Sequence, residues 1–359
     1  MLESERPFRL REVLHMAREM RASDVHLSAG TALTLRVDGS LEMRSDHLVT
    51  GLQIDDIVAH CFHKKVRRQL VTTGDATVAY SDSDCGPVRV HAYMVRGTQA
   101  LAVRMLATEI PALEDLRLPA FVAEFTRQKQ GLILITGPTG SGKSTLLAAM
   151  IEQINRTQAK HIITIEDPVE YQHNSDRCLV SQREIGKDAA SFSSALLGAL
   201  RSDPDVILVG EMRDRATMHG ALGAAETGHL VLCTMHTGSA SESVDRIIGT
   251  FEGAAQAEVR SQLAEALVGI VCLRLVRRAR GLGRVLVAEV LFASDAVRSA
   301  IRESKVHHLR NIVATSRSSG MQTMEAHLGD LLSRGEITCE AAREATDRPD
   351  EVRFPECTA

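Results

Sequence analysis

The chain has 359 residues, which is enough for two domains that each bury a full core. Hydrophobic residues make up 44% of it and charged residues 25%, and the net charge is −4 with acids and bases interspersed. These values are typical of a soluble globular protein. They exclude the basic surface on which nucleic-acid binding depends, so we expect no nucleic-acid partner.

The N-terminal sequence and the cysteines bear on location. The first residues, MLESERPFRL, contain no apolar segment of the kind that a secretory signal needs. No apolar run approaches the roughly 18 residues of a membrane-spanning helix. The seven cysteines are scattered and include no Cys-x-x-Cys pair, which argues against a structural zinc site. We therefore expect a reducing, cytoplasmic location.

The first hundred residues predict a small α+β domain. Apolar residues recur at helical spacing over residues 8–20 and again over residues 54–62, so we expect a helix in each range. Short β-rich segments surround the second helix, and the Asp38-Gly39 pair within one of them is a hairpin signal. The expected sheet is antiparallel, and the domain has no phosphate loop of its own.

Three arginines, Arg89, Arg96 and Arg104, fall on or beside the last two predicted strands of this domain. Two interpretations stay open from these residues alone. They form a solvated strand face, or they reach a bound phosphate. The best linker candidate is residues 107–118, with Pro111 inside and Pro119 just beyond. We therefore predict domains at 1–106 and 119–359.

Residues 131–151 predict the chemistry of the second domain. A short apolar run breaks at Gly137, and the loop GPTGSGKS leads into a helix-forming segment. This is the Gly-x-x-x-x-Gly-Lys-[Ser/Thr] phosphate loop between a strand and a helix. Its glycines let backbone N–H groups turn inward around an anion, and the helix dipole points at the same phosphates. Lys143 supplies a cation for the β- and γ-phosphates and Ser144 a hydroxyl for Mg²⁺, so we predict a nucleoside triphosphate site.

After residue 130, strands alternate with helices, which predicts a parallel sheet covered on both faces. Four of the predicted strands are followed closely by polar or charged residues. These strands cover residues 132–136, 161–165, 205–209 and 229–234. The first ends in the phosphate loop, the second in Glu166, the third in Gly210-Glu211, and the fourth runs into His236. Ligands of an open parallel sheet bind at the carboxyl ends of its strands, so these groups are expected to face one crevice.

The carboxylates at these strand ends have two predicted roles. Glu211 closes an apolar run, the arrangement by which phosphate-loop enzymes hold Mg²⁺, so Ser144 and Glu211 are the predicted metal ligands. Hydrolysis also needs a carboxylate that orients or deprotonates water, and Glu166, Asp167 and Glu170 form a second acidic group. A lone acidic turn after a strand is otherwise a helix cap.

His229 and His236 stand near the two termini of the fourth predicted strand. They are either ordinary polar residues at strand ends or members of the site. The C-terminal third contains three helical segments, which are expected to close a small bundle.

The segments GPTGSGKST, TIEDPVEY, DVILVGEMRD and ETGHL…TMHT, in this order and spacing, resemble those of the secretion and type IV pilus ATPases. Within that family the chain looks like the PilT/PilU-type pilus retraction ATPases, from ASDVHLSAG near its start to GMQTMEAHL near its end. The resemblance implies a PAS-like N-terminal domain, a RecA-like α/β P-loop NTPase motor domain and a homohexameric ring. It also implies ATP and Mg²⁺ as cofactors, and a peripheral place at the inner-membrane platform of the pilus machine, with a paralogous pilus ATPase as a further candidate partner.

The resemblance also implies residue roles. The phosphate loop that binds the nucleotide becomes Gly137, Pro138, Thr139, Gly140, Ser141, Gly142, Lys143, Ser144 and Thr145. Glu166 becomes the catalytic base, Glu211 the Walker B carboxylate near Mg²⁺, and His229 and His236 the histidine box that senses the γ-phosphate. Arg89, Arg96 and Arg104 become phosphate contacts that stabilise transition-state charge as an arginine finger does.

One departure and one absence qualify the resemblance. The retraction group carries a late Ala-Ile-Arg-Asn-Leu-Ile-Arg-Glu helix, whereas residues 296–303 of this chain read AVRSAIRE. Replacing Leu by Ala300 removes apolar contact area, so we expect the partner surface of this helix to differ. The tetracysteine zinc motif of the extension and type II secretion ATPases is absent, which favours the retraction side of the family.

The sequence is compatible with several functions. The chain is a main retraction motor, an accessory retraction ATPase that works beside one, or a nucleotide-dependent regulator that does not hydrolyse. The presence of both Glu166 and Glu211 favours hydrolysis. A DNA-translocating motor is disfavoured because the chain has no basic stripe.

Overall fold

A computed structural model describes residues 10–106, 109–281 and 283–354. Residues 8 and 9 of the first predicted helix and residues 107 and 108 of the predicted linker lie outside these ranges. The chain forms two compact units, residues 1–109 and residues 110–359. None of the helices in the described ranges combines the length and the apolar composition that crossing a bilayer requires.

The N-terminal unit is built on a six-stranded antiparallel sheet. Its helices are α1 (Leu10–Glu19), α2 (Gly51–Cys61) and α3 (Lys64–Thr73). Its strands are β1 (Ala22–Ser28), β2 (Ala32–Val37), β3 (Ser40–Leu48), β4 (Asp75–Asp82), β5 (Gly86–Val95) and β6 (Thr98–Met105). They lie in the order β3-β2-β1-β6-β5-β4, and each neighbouring pair is antiparallel. The predicted α+β architecture is confirmed.

Local sequence explains the helices of this unit. Helix α2 begins at a capping box, in which the Thr50 side chain accepts from the Gln53 backbone and the Gln53 side chain accepts from the Thr50 backbone. Helix α3 is not predicted by the sequence, because Leu70 alone among its residues is fully buried and its apolar periodicity is weak. The core lies between the helices and one sheet face, where Leu14, Val25 and Leu101 are fully buried.

The second unit contains a seven-stranded sheet in the order β13-β12-β7-β11-β10-β8-β9. Its strands are β7 (Gly131–Thr136), β8 (His161–Glu166), β9 (Leu179–Glu184), β10 (Val206–Val209), β11 (Leu230–Met235), β12 (Leu267–Arg277) and β13 (Arg284–Phe292). Its helices are α4 (Val122–Phe125), α5 (Lys143–Thr157), α6 (Phe192–Ala199), α7 (Arg215–Glu226), α8 (Ala240–Gly249), α9 (Ala255–Ala266), α10 (Asp295–Arg302), α11 (Leu309–Thr315), α12 (Met324–Ser333) and α13 (Cys339–Glu344). The predicted α/β class, with a RecA-like motor, is confirmed.

The sheet is mixed, whereas the sequence predicts a parallel one. Strands β7 to β12 pair in parallel, but β13 runs antiparallel to β12. The reason is the short connection between Arg277 and Arg284, which leaves no room for the dozen or more residues that a parallel crossover needs.

The phosphate-loop strand β7 lies inside this sheet and is buried on both faces. Leu132 and Leu134 pack into the core beneath α6 to α9, while Ile133 and Ile135 pack into the core beneath α5. Each such side chain stabilises the fold by about 1.5–3 kcal/mol relative to an exposed one. Double-sided burial explains why this strand is a continuous apolar run rather than an alternating one.

Helix α10 carries the departure from the retraction motif. Ala300 is 7% exposed and belongs to the main core, together with Val297 and Ile301. Ala300 therefore packs into the core of its own chain and is not itself an exposed contact, while a changed partner surface on this helix stays a prediction. On the outer side, Arg302 and Glu303 are exposed.

Candidate functional site

The phosphate loop connects the end of β7 at Thr136 to the start of α5 at Lys143. Gly137 has a φ of +138°, and a Cβ at this position would lie 2.4 Å from the backbone oxygen of Leu273. The loop therefore accepts no side chain at Gly137. Ser141 Oγ lies inside the loop, buried and without a hydrogen bond in the described part of the chain. A buried hydroxyl without a partner is the kind of donor that an anion would satisfy.

The side chain of Lys143 is folded back over this loop. Its Nζ donates to the backbone oxygens of Gly137 at 2.7 Å and Pro138 at 2.9 Å, and lies 3.4 Å from Nδ1 of His236. Burial lowers the pKa of Lys143, while the charges of Glu211 and Glu170 act in the opposite direction. The ammonium group is thus hydrogen-bonded to neutral carbonyls of the loop. From this position it can exchange these partners for phosphate oxygens.

Glu211 and His236 complete a chain of polar contacts with Lys143. Glu211 Oε1 lies 3.3 Å from Nε2 of His236 and accepts a 2.5 Å hydrogen bond from Nε of Arg213. Burial raises the pKa of Glu211, but the Arg213 hydrogen bond and the charges of Arg213, His236 and Lys143 outweigh it and lower that pKa overall. Glu211 is therefore an ionised carboxylate at neutral pH, and His236 bridges it to the phosphate loop.

Glu166 ends strand β8 and is held by two side chains. Its Oε1 accepts hydrogen bonds from Oγ1 of Thr164 at 2.6 Å and from Nε2 of Gln182 at 3.2 Å. Burial raises the pKa of Glu166, Glu170 adds to that effect, and the two hydrogen bonds oppose it. Unlike Glu211, this carboxylate has a raised pKa, which suits a group that accepts a proton.

The sequence prediction misses three residues of this site. Arg213 pairs with Glu211, Gln182 orients Glu166, and the Tyr171 hydroxyl lies 2.8 Å from Oγ1 of Thr145. Arg213 stands two residues after Glu211, so proximity in sequence is a usable signal. Gln182 lies on β9, an edge strand that the periodicity does not predict, and no local signal identifies it.

The structure does not bring His229 into the site of its own chain. Strand β11 pairs in parallel with β7, with Leu230 opposite Gly131 and Met235 opposite Thr136. His229 therefore lies beside the start of β7, roughly 20 Å of strand from the phosphate loop. Its ring contacts the Ala224 backbone oxygen at 3.0 Å. The strand-end argument holds for His236, but it fails for His229 because that residue precedes the strand.

The three predicted arginines lie in the N-terminal unit and do not form one cluster. Arg89 and Arg104 are directly opposed in the β5–β6 ladder, and Arg104 Nε binds Oδ1 of Asp24 at 2.9 Å. Arg96 lies in the turn between these strands with a φ of +51°. Six residues of strand separate it from Arg89, or roughly 20 Å. Their contact with a nucleotide stays a prediction.

A phosphate loop inside a RecA-like sheet, with carboxylates at two neighbouring strand ends, defines the class as a P-loop NTPase fold. Residues 8–343 match the sequence profile of the family described as "Type II/IV secretion system protein". The chain belongs to this family, in the PilT/PilU-type group that its motifs predict.

Individual relatives agree with this placement. The chain is 39% identical to the type IV pilus retractation ATPase PilT of Pseudomonas aeruginosa, over 94% of this chain and 98% of the relative. It is 37% identical to the type IV pilus ATPase PilU of the same organism, over 96% of this chain and 90% of the relative. A crystal structure of the pilus retraction motor PilT with bound ADP superposes with a TM-score of 0.86 at 41% identity, covering 96% of this chain and 99% of that one.

Proposed function

We propose that this chain is a Mg²⁺-dependent ATPase that powers retraction of type IV pili, working as a homohexameric ring at the cytoplasmic face of the inner-membrane pilus platform. The ATPase activity is supported chiefly by a series of contacts beside the phosphate loop. His236 lies 3.4 Å from Nζ of Lys143 through its Nδ1 and 3.3 Å from Oε1 of Glu211 through its Nε2. The mechanical part is supported by the similarity to relatives named for pilus retraction and twitching motility.

The residues present fit the nucleotide and its metal ion. The inward hydroxyl of Ser141 and the side-chain-free position Gly137 suit a bound phosphate. Ser144 offers a hydroxyl, and Glu211 is ionised, so both are oxygen ligands of the type that Mg²⁺ prefers. Bound in this way together with phosphate oxygens, Mg²⁺ would neutralise charge on the transferring phosphoryl group.

The remaining chemistry falls to the side chains. The phosphate loop and Lys143 bind the β- and γ-phosphates and orient them. Glu166, with its raised pKa, accepts a proton from the attacking water, and Thr164 and Gln182 hold its carboxylate in one orientation. His236 contacts both Lys143 and Glu211, so it can respond to the presence of the γ-phosphate at either residue.

The test separates binding from hydrolysis. Lys143→Ala should abolish nucleotide binding and phosphate release, because it removes the cation of the loop. Glu166→Gln should bind ATP like the wild type but release phosphate about 10²–10⁴-fold more slowly, because it removes a general base. Binding is measured with a fluorescent nucleotide and hydrolysis by phosphate release. Wild-type hydrolysis by Glu166→Gln would refute the base assignment, and no hydrolysis by the wild type would favour a regulator.

A second candidate is an accessory retraction ATPase that works only beside a main motor. The similarity to PilU, at 37% identity over 96% of this chain, supports it about as strongly as the similarity to PilT supports the first. Deleting the gene alone and scoring surface motility separates the two. Loss of motility identifies a main motor, and retained motility identifies an accessory one.

A further inference from the structure

A buried carboxylate, Glu289, lies on β13 in the second unit and has no part in the site as described so far. Its residue exposure is 6%, and its strand neighbours Val287, Ala288, Val290 and Leu291 are fully buried apolar residues. Burying an ionisable group in such surroundings is costly unless its oxygens are hydrogen-bonded. The partners of Glu289 therefore indicate what the residue does.

One oxygen of Glu289 holds the start of helix α8. Oε1 accepts a 2.7 Å hydrogen bond from the backbone nitrogen of Ala240, the first residue of that helix. A negative charge at a helix N-terminus is favoured by the helix dipole. Burial and the charge of Glu325 raise the pKa of Glu289 overall, although the bond from Ala240 and the charge of Arg310 act in the opposite direction.

On its other side Glu289 meets Cys272, its direct partner across the β12–β13 ladder. Burial and then the charge of Glu289 raise the pKa of Cys272 well above its ordinary value, so its sulfur is a thiol beside that carboxylate. Cys272 Sγ in turn accepts a 3.0 Å hydrogen bond from Oγ1 of Thr136 on β7. Thr136, Cys272 and Glu289 are thus direct partners in one row across three adjacent strands, with a hydrogen bond between the first two.

The two ends of this row lie next to two parts of the site, the phosphate loop and the loop that carries His236. Thr136 immediately precedes Gly137, where the phosphate loop begins. Ala240 follows the loop of residues 236–239, whose first member is His236. This loop is further fixed to α8 by a 2.6 Å bond from the Gly238 nitrogen to Glu242.

We propose that Glu289 is a positioning residue that anchors the loop of residues 236–239 against the phosphate loop and so places His236 between Lys143 and Glu211. The expected effect on hydrolysis rests on the proposed ATPase function, whereas the placement of the loop does not. The His236 contacts, at 3.4 and 3.3 Å, are near the limit of hydrogen-bond length. A shift of about 1 Å in the loop would break both, and displacements of that size reduce rates by as much as 10²-fold.

A matched control is available in the same unit. Glu325 on α12 is also buried, at 5% exposure, and is bonded to Arg310 at 3.0 Å and to Thr346 at 2.7 Å. Neither partner belongs to the phosphate loop or to residues 236–239. Glu325 lines the same cavity as Glu289 and Ala240, and its charge acts on Glu289, but Glu325→Ala leaves the hydrogen bond between Glu289 and Ala240 in place. It therefore separates the loss of a buried carboxylate in this cavity from the loss of the loop anchor.

The experiment compares full-length wild type, Glu289→Ala, Glu289→Gln and Glu325→Ala. Glu289→Ala should lower kcat for phosphate release at least about tenfold while leaving the Kd for ADP unchanged, because the phosphate loop remains and His236 is displaced. Glu289→Gln keeps an acceptor oxygen for Ala240 and should restore most of kcat. Glu325→Ala should lower the melting temperature and leave kcat unchanged.

A second measurement does not depend on activity. Hydrogen–deuterium exchange should rise in the peptide that contains residues 236–240 in Glu289→Ala, but not in Glu325→Ala. The inference is overturned if this peptide exchanges as in the wild type. It is equally overturned if kcat falls alike in both alanine variants, in proportion to unfolded protein. Wild-type protein that exchanges as expected but releases no phosphate would instead refute the proposed ATPase.

Discussion

At the scale of single residues, the environments of two carboxylates separate their roles. Arg213, together with nearby cations, outweighs burial at Glu211 and lowers its pKa, whereas burial dominates at Glu166 and raises its pKa. The first stays charged and suits a cation, and the second suits proton transfer. Two titratable groups whose pKa values are pushed apart in this way are typical of acid–base sites.

The pH dependence of hydrolysis follows from the surroundings of Glu166. Thr164 donates a 2.6 Å hydrogen bond to the ionised form, so Thr164→Val should raise the pKa of Glu166 further. A base works only when deprotonated, so activity is lost as pH falls through this pKa, and the variant should lose it at higher pH than the wild type. A hydrogen bond to a charged group contributes about 1.5–3 kcal/mol, which is enough to move the pH at which activity is lost measurably upward.

Phosphate release measured between pH 5 and pH 9 checks this shift. Thr164→Ser keeps the hydroxyl and should retain the wild-type acid limb, which makes it the matched control. If Thr164→Val loses activity at the same acidic pH as the wild type, Glu166 is not the group whose protonation stops hydrolysis.

At the scale of elements, the sequence predicts a strand whose residues are all buried, and it misses a strand whose residues are partly exposed. Strand β7 is fully buried and appears as an unbroken apolar run, and the loop after it is a recognised motif. Strand β9 is an edge strand with an exposed Leu179, so its pattern is too weak to predict, and Gln182 is missed with it. The sequence places His229 and His236 near opposite ends of one strand, and the parallel pairing of β11 with β7 puts His236, not His229, beside the phosphate loop of its own chain.

The phosphate loop itself depends on Gly137. Gly137→Ala would place a Cβ 2.4 Å from the Leu273 backbone oxygen, and that oxygen belongs to β12 and cannot move aside easily. The loop must shift instead, so we expect nucleotide affinity to fall at least about tenfold, equivalent to 1.4 kcal/mol. Titration with a fluorescent ADP analogue measures the change.

Gly335→Ala controls for backbone strain, because Gly335 also has a positive φ, of +67°, but nothing lies within 4 Å of a Cβ there. It should lower the melting temperature without weakening nucleotide binding. Equal nucleotide affinity in Gly137→Ala and the wild type would show that the loop tolerates a side chain, contrary to the geometry.

At the scale of the whole molecule, the arginines of the N-terminal unit are proposed to complete the site of the motor. Arg89 and Arg104 lie side by side, while Arg96 is roughly 20 Å away along the hairpin, so one phosphate group cannot contact all three. Like charges directly opposed on neighbouring strands are unfavourable. Asp24 pairs with Arg104 and offsets part of that repulsion, and a bound anion beside Arg89 would offset more of it. We therefore expect Arg89 and Arg104, rather than Arg96, to act on a nucleotide.

In the proposed ring, this pair acts on the nucleotide of a neighbouring subunit, which subunit mixing can test. An Arg89→Ala/Arg104→Ala double variant and Lys143→Ala should each hydrolyse little ATP alone. In a mixed ring, a site is intact wherever a Lys143→Ala subunit supplies its arginines to a neighbouring subunit that still has Lys143. Phosphate release should therefore reappear on mixing. With random incorporation at equal amounts, about a quarter of the sites are intact, and an Arg96→Ala protein should remain active alone. Mixtures that stay as inactive as their components would place the arginines and the nucleotide in the same chain, or would refute the ring.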